Sequence, residues 1–163
     1  MPGRSNTRLL IYVACILLLE WFCLVNAYVV DLKGASVDAA KFHEAAVQWS
    51  QFGSLRFVVD AAFYSQLLGL VYLVFGPSEF VGAQLGVILL AVGAVHFEKI
   101  LGMFRVEQGH WWVVPFLLWP SLVTRGTTTM REPILIGLTV LIVYSVLRFR
   151  QSQRPLHAVG AIA

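Results

Sequence analysis

Asp38, Lys41, His43 and Glu44 crowd into the stretch DAAKFHEAA at residues 38–46, directly after a long run of oily residues. A second polar cluster, TRGTTTMREP at residues 124–133, sets Arg125, Arg131 and Glu132 around three consecutive threonines. A carboxylate can take the proton of an acceptor hydroxyl as general base, and guanidinium groups grip phosphate oxygens in pairs. Asp38 and Glu132 are therefore the candidate catalytic residues, and Arg125, Arg131, His43 and Lys41 the candidate ligands of an anionic substrate. Plainer readings compete with both clusters. A solvated helix at a membrane surface would carry the first. A carboxylate in the first turn of a helix opened by Pro133 complements the helix dipole whatever else it does. Capping leaves the two arginines beside Glu132 unexplained.

The elements that must position these residues are helices in lipid. The chain of 163 residues is 58% hydrophobic and 13% charged, with a mean hydropathy of +0.75, whereas a soluble domain carries about 25% charged residues. Five apolar segments can be drawn, at 9–30, 57–75, 80–97, 109–124 and 133–147. Several approach the ~20 residues a helix needs to cross a bilayer. Strands are excluded because an open strand in lipid leaves backbone groups unpaired. The fold class is thus all-α, a single polytopic membrane domain.

Basic residues decide how many segments cross. The start MPGRSNTR followed by apolar residues 9–30 reads as an uncleaved signal anchor, since a signal-peptide core is shorter. If all five segments cross, only Arg4, Arg8, Arg125 and Arg131 are cytoplasmic among the twelve basic residues. If 57–75 does not cross, the cytoplasm holds seven: Arg4, Arg8, Lys99, Arg105, Arg148, Arg150 and Arg154. The second arrangement obeys the positive-inside bias. Four spans are expected, at 9–30, 80–97, 109–124 and 133–147, with five spans as the alternative. The outer loop 31–79 would then carry interfacial helices at 38–50 and 57–75, and both termini would be cytoplasmic. Asp38 and Glu132 share one side of the membrane in the four-span arrangement and lie on opposite sides in the other. Within 38–50, helical spacing puts Asp38, Phe42, Ala45 and Trp49 on one face and turns His43 and Glu44 off it.

Other polar residues have quieter readings. Glu20 sits midway along the first span, where an ionised acid is costly, and Gln84 is a candidate packing partner. His96 could ligate haem or chlorophyll as a neutral imidazole, but no second histidine matches it. His110, Trp111 and Trp112 read as an interfacial belt. Gly82, Gly86 and Gly93 form a small-residue face that lets a helix of this chain or of a partner approach closely. Cys15 and Cys23 lie about 12 Å apart along one helix and cannot bridge. The net charge of +3 follows from bases flanking apolar segments, with no nucleic-acid stripe. No zinc spacing, phosphate-binding glycine loop or Ser-His-Asp set is present.

The order of elements resembles a family. An anchor helix is followed by an outer loop with an Asp before an aromatic-rich short helix, and then by YSQLLGLVYLVFGPSEFVGAQLGVILLAVGAV. VVPFLLWPSLVT and a helix opened by REP come next. This layout is similar to the amino-terminal part of the GT-C glycosyltransferase superfamily and of related polysaccharide-assembly proteins of bacterial inner membranes. The resemblance implies a polyprenyl-phosphate sugar as donor, Asp38 as the first-loop acid and Glu132 as the second. It also implies that segment 57–75 lies along the outer face. Asp38 would deprotonate an acceptor hydroxyl, Arg125 and Arg131 would steady the leaving phosphate, and Glu132 would orient Arg131 or help hold a divalent metal. Members carry further spans, so a partner chain supplying the missing helices is expected beside membrane lipid. The rival reading is a non-catalytic subunit packing through its glycine face onto a larger complex, electron-transfer or photosynthetic in kind.

Overall fold

A computed structural model describes residues 3–29, 33–52 and 63–152. Among the described residues seven α-helices follow in order: α1 (Gly3–Tyr28), α2 (Lys33–Phe52), α3 (Phe63–Phe75), α4 (Glu79–Met103), α5 (Val113–Leu117), α6 (Pro120–Gly126) and α7 (Glu132–Ser152), with a 3-10 turn at Gly109–Trp112 before α5. No strand occurs among the described residues. Among the described residues three helices are long and apolar enough to cross a membrane, at Asn6–Tyr28, Glu79–Met103 and Glu132–Gln151.

The core forms where α1 meets α4. Tyr12, Cys15, Leu19 and Cys23 recur at three- and four-residue intervals and so make one stripe of α1. They pack on Ala83, Val87, Leu90 and Ala94 of α4. The outward face of α1 stays apolar, with Leu9, Leu10, Leu17 and Trp21 exposed, as expected of a helix whose surroundings are as oily as its core.

Pairings along the helices fix their directions. Arg8 meets Glu98, Glu20 meets Gln84 and Tyr28 meets Phe80, so α1 and α4 are antiparallel. Pro133 lies against Gly86, Gly137 against Gly93 and Tyr144 against His96, so α7 runs parallel to α4. Close approach explains this second pair: a Cβ on Gly93 would stand 3.1 Å from the Gly137 Cα, and one on Gly137 would stand 2.5 Å from the Leu89 carbonyl oxygen. Of the three glycines read as one packing face, Gly86 and Gly93 serve α7, while Gly82 admits side chains of α3 and of the loop before α7.

The chain between α4 and α7 must return from the Met103 end of the bundle to the Glu79 end. Gly109 lies against Leu101, Phe116 stacks on Phe97 and Gly126 meets Leu90, which traces that return. The expected continuous helix at 109–124 is instead a 3-10 turn and two short helices. Trp119 takes an extended conformation (φ −59°, ψ 127°) and Pro120 opens α6. Proline disfavours a helical residue before it and is comfortable at the start of the next helix.

α2 and α3 pack on each other at the Glu79 end. α3 has 13 residues, about 20 Å at the helical rise, short of a ~30 Å hydrocarbon layer. Its Leu68 and Tyr72 reach Gly82, one turn into α4. Part of the expected helix at 57–75, including Asp60, lies outside the described residues.

Candidate functional site at the Glu79 end

The loop 127–131 between α6 and α7 is gripped from three sides. Asn26, near the end of α1, donates its side-chain amide to the Thr127 hydroxyl. The Thr129 hydroxyl donates to the Ala39 carbonyl of α2 at 2.8 Å, and its methyl group presses on Gly82 of α4. Thr127 and Thr129 are both 2% exposed, so these two threonines are interior scaffolding, while Thr128 between them is partly exposed. This anchorage brings the DAAKFHEAA helix and the TRGTTTMREP segment to one end of the bundle.

α2 chooses its buried face by size. Ala39 and Ala46 are buried and face the loop and α3, and a Cβ on Gly69 would come within 2.6 Å of Trp49 Cε3. The face read from spacing therefore needs correction: Ala45 is exposed, and His43 turns inward to Tyr72. Small residues at 39 and 46 let α2 come closer than the larger side chains at neighbouring angles would allow. Asp38 and Lys41 are left outside, with side chains 68% and 71% exposed and paired loosely at 3.8 Å. Such a surface pair contributes little stability, so Asp38 is available to a ligand.

Beside Asp38 on α2, Phe42 meets Tyr64 edge-on at 5.0 Å, and the Arg131 guanidinium lies over the Phe42 ring at 6.0 Å. Glu132 opens α7, and its Oε2 is buried without a hydrogen-bond partner among the described residues. Its charge is felt by Tyr64, whose phenol pKa is raised first by burial and then by that carboxylate. Arg125, in the last turn of α6, is exposed like Arg131, and neither makes an ion pair among the described residues. Asp38, Arg131 and Glu132 thus border one region, while Lys41 points away from α2's buried face and His43 joins the α3 side.

No group of three or more His, Cys, Asp or Glu side chains that could hold a metal ion occurs among the described residues.

Spacing missed the aromatic and hydroxyl residues here. Tyr64, Tyr72, Thr129 and Asn26 act through partners far away in the chain, and only Gly69, one turn before Tyr72, hinted at a close helix approach. Elsewhere, Gln84 donates to Glu20 at 2.9 Å, the packing partner proposed from sequence. His96 Nδ1 lies 2.8 Å from the Val92 carbonyl, and its ring meets Tyr144. Cys15 and Cys23 are buried free thiols. At the Met103 end Glu98 accepts from Arg8 at 2.9 Å and from Tyr12 at 2.7 Å. Comparison with protein-family models, curated proteins and solved structures returns no match.

Proposed function

We propose that this chain is a four-crossing membrane protein that binds a polyprenyl-phosphate sugar at its Glu79 end and takes part in transferring the sugar to an acceptor hydroxyl. The observation that supports this is the Thr129 to Ala39 hydrogen bond, which sets an exposed carboxylate on α2 beside the loop that carries the exposed Arg131. In the reaction, the acceptor oxygen bonds to the anomeric carbon while Asp38 takes the hydroxyl proton. The bond from that carbon to the phosphate oxygen breaks, and the phosphate leaves with the electron pair. Arg125 and Arg131 meet its charge. Glu132, one residue from Arg131, orients that guanidinium. In this reading α1, α4, the broken 109–126 segment and α7 cross, α2 and α3 lie at the outer face, and both termini are cytoplasmic in a bacterial inner membrane.

Transfer from a radiolabelled polyprenyl-phosphate sugar, measured in nanodiscs with wild type, Asp38→Asn and Arg131→Ala, tests the reading. Asp38→Asn is expected to abolish transfer with donor binding kept, and Arg131→Ala to weaken donor binding on the order of tenfold. Full transfer by Asp38→Asn would exclude it as the base.

A second reading, a subunit that packs onto other helices, is favoured by the bareness of α7. Leu135, Leu138, Ile142, Val143 and Val146 are all exposed, a face that lipid or partner helices would cover. Copurification of a stoichiometric membrane partner, lost when Leu138 and Ile142 are changed to bulkier Trp, would support it.

A further inference from the structure

His43 is held from both ends of its helical turn. Four residues before it, the Ala39 carbonyl is fixed by Thr129; three residues after it, Ala46 is fully buried against α3 near Gly69. Between these points His43 Nδ1 meets the Tyr72 hydroxyl at 2.7 Å. Tyr72 is 2% exposed, and its hydroxyl rests on Gly82, where a Cβ would come within 2.6 Å of it. The phenol therefore cannot swing to water. Burial first, then the neighbouring Tyr64 and Glu79, raise its pKa, so the phenol keeps its proton at physiological pH.

A phenol proton needs an acceptor, and His43 Nδ1 lies at hydrogen-bond distance from it. An imidazole nitrogen that accepts carries no hydrogen, so in the neutral ring the hydrogen sits on Nε2. Nε2 points to the opposite side of the ring, and His43 is only half-buried. The donor is thus offered away from Tyr72. A Cβ on Gly82 would meet the Thr129 methyl group as closely as the Tyr72 hydroxyl, both at 2.6 Å, so the pair adjoins the loop that carries Arg131. An N–H donor on the helix whose Phe42 ring lies under the exposed Arg131 guanidinium suits an anionic oxygen.

We infer that Tyr72 is a positioning residue that fixes His43 as an Nε2–H donor, and that this donor takes a phosphate oxygen of the ligand. The tautomer half rests on the phenol donating to the ring across the 2.7 Å contact, whereas the phosphate half rests on the lipid-phosphate reading above.

The test is 15N NMR of histidine-labelled full-length protein in zwitterionic nanodiscs, with His43→Asn assigning the resonance among four histidines. In wild type the expected spectrum has a bare Nδ1 and a protonated Nε2 for His43. Tyr72→Phe should mix the two tautomers while the His96 resonances, reporting on folding, stay in place. Polyprenyl phosphate should shift the Nε2 signal, and His43→Leu should weaken its binding about tenfold, the loss of one hydrogen bond to a charged group. His43→Gln, whose amide can also donate, should recover part of that. Inorganic phosphate in a parallel arm tells a lipid-borne phosphate from a free one by which of them moves the signal. A protonated Nδ1 in wild type overturns the inference. So does lipid binding, seen by 31P NMR, that leaves the His43 signal still; the lipid-phosphate reading then survives. No binding of polyprenyl phosphate by wild type overturns the phosphate half and the lipid-phosphate reading together.

Discussion

Tyr64 and Tyr72 are phenols that the fold keeps neutral. Each has its pKa raised above the ordinary 10.0, with burial as the foremost cause. The unfolded chain releases these protons near pH 10 and the folded chain does so only at higher pH. The native state therefore binds more protons in that window, and stability falls as pH rises through it. Below pH 10 the contribution is fully present. Thermal midpoints measured in detergent from pH 8 to 11 are expected to drop above pH 10, and to drop less in Tyr64→Phe. Glu132 presents the opposite case, a carboxylate oxygen buried without a partner. Glu132→Gln removes the charge while keeping the shape, so the midpoint should rise, by about 1 kcal/mol in stability terms. An unchanged or lower midpoint would mean that the carboxylate is already satisfied. Asp38, Arg125 and Arg131 were legible in the sequence because charged residues stand out in an apolar chain. Tyr64 and Tyr72 were not, because an aromatic residue in an oily helix looks like any other until its hydroxyl is seen to meet His43 or a neighbouring acid.

Among the elements, the α4–α7 pair depends on glycine more than on any other residue type. Substitutions should be graded by what the new atom meets. A Cβ at Gly137 meets the Leu89 backbone at 2.5 Å, which cannot step aside, whereas one at Gly86 meets the Pro133 ring at 3.2 Å. Gly137→Ala is therefore expected to cost about 1–3 kcal/mol, the range for overpacking, and Gly86→Ala clearly less, read as thermal midpoints. Equal losses would mean that the helices separate freely. The small-residue pattern in α4 was visible, but Gly137 escaped notice because close approach needs two surfaces and a single sequence displays them a long way apart. The apolar runs marked one end of each of α1, α4 and α7 closely, whereas α1 begins at Gly3, α4 continues to Met103 and α7 continues to Ser152. The break at Trp119 was missed even though Pro120 was in plain view. In a run of apolar residues, hydrophobicity masked the proline's steric effect on the residue before it.

For the whole molecule the decisive quantity is which loops share a side of the membrane. Glu44 and Thr128 lie at the Glu79 end, and Gly102 and Gln151 at the other. Single cysteines at these four positions, in a background lacking Cys15 and Cys23, can be probed on intact cells with an impermeant thiol reagent. Positions 44 and 128 are expected to label from outside, and 102 and 151 only after lysis. Five crossings would keep 44 outside and reverse the other three. The charge bias in the sequence had already placed the two polar clusters together. It carried no information on the Arg8–Tyr12–Glu98 junction at the far end, which joins residues some ninety positions apart.

The hydrogen bond from Thr129 to Ala39 also spans ninety positions, and this has a consequence for biosynthesis. α2 leaves the ribosome long before the residue that will hold it, so the Ala39 face must wait, uncovered, while two-thirds of a bundle is threaded into the bilayer. Contacts of such long sequence separation form late. The polar end of the molecule is thus the last part to be finished, and a chain halted before Thr127 would hold every long helix but α7 and none of the clasp.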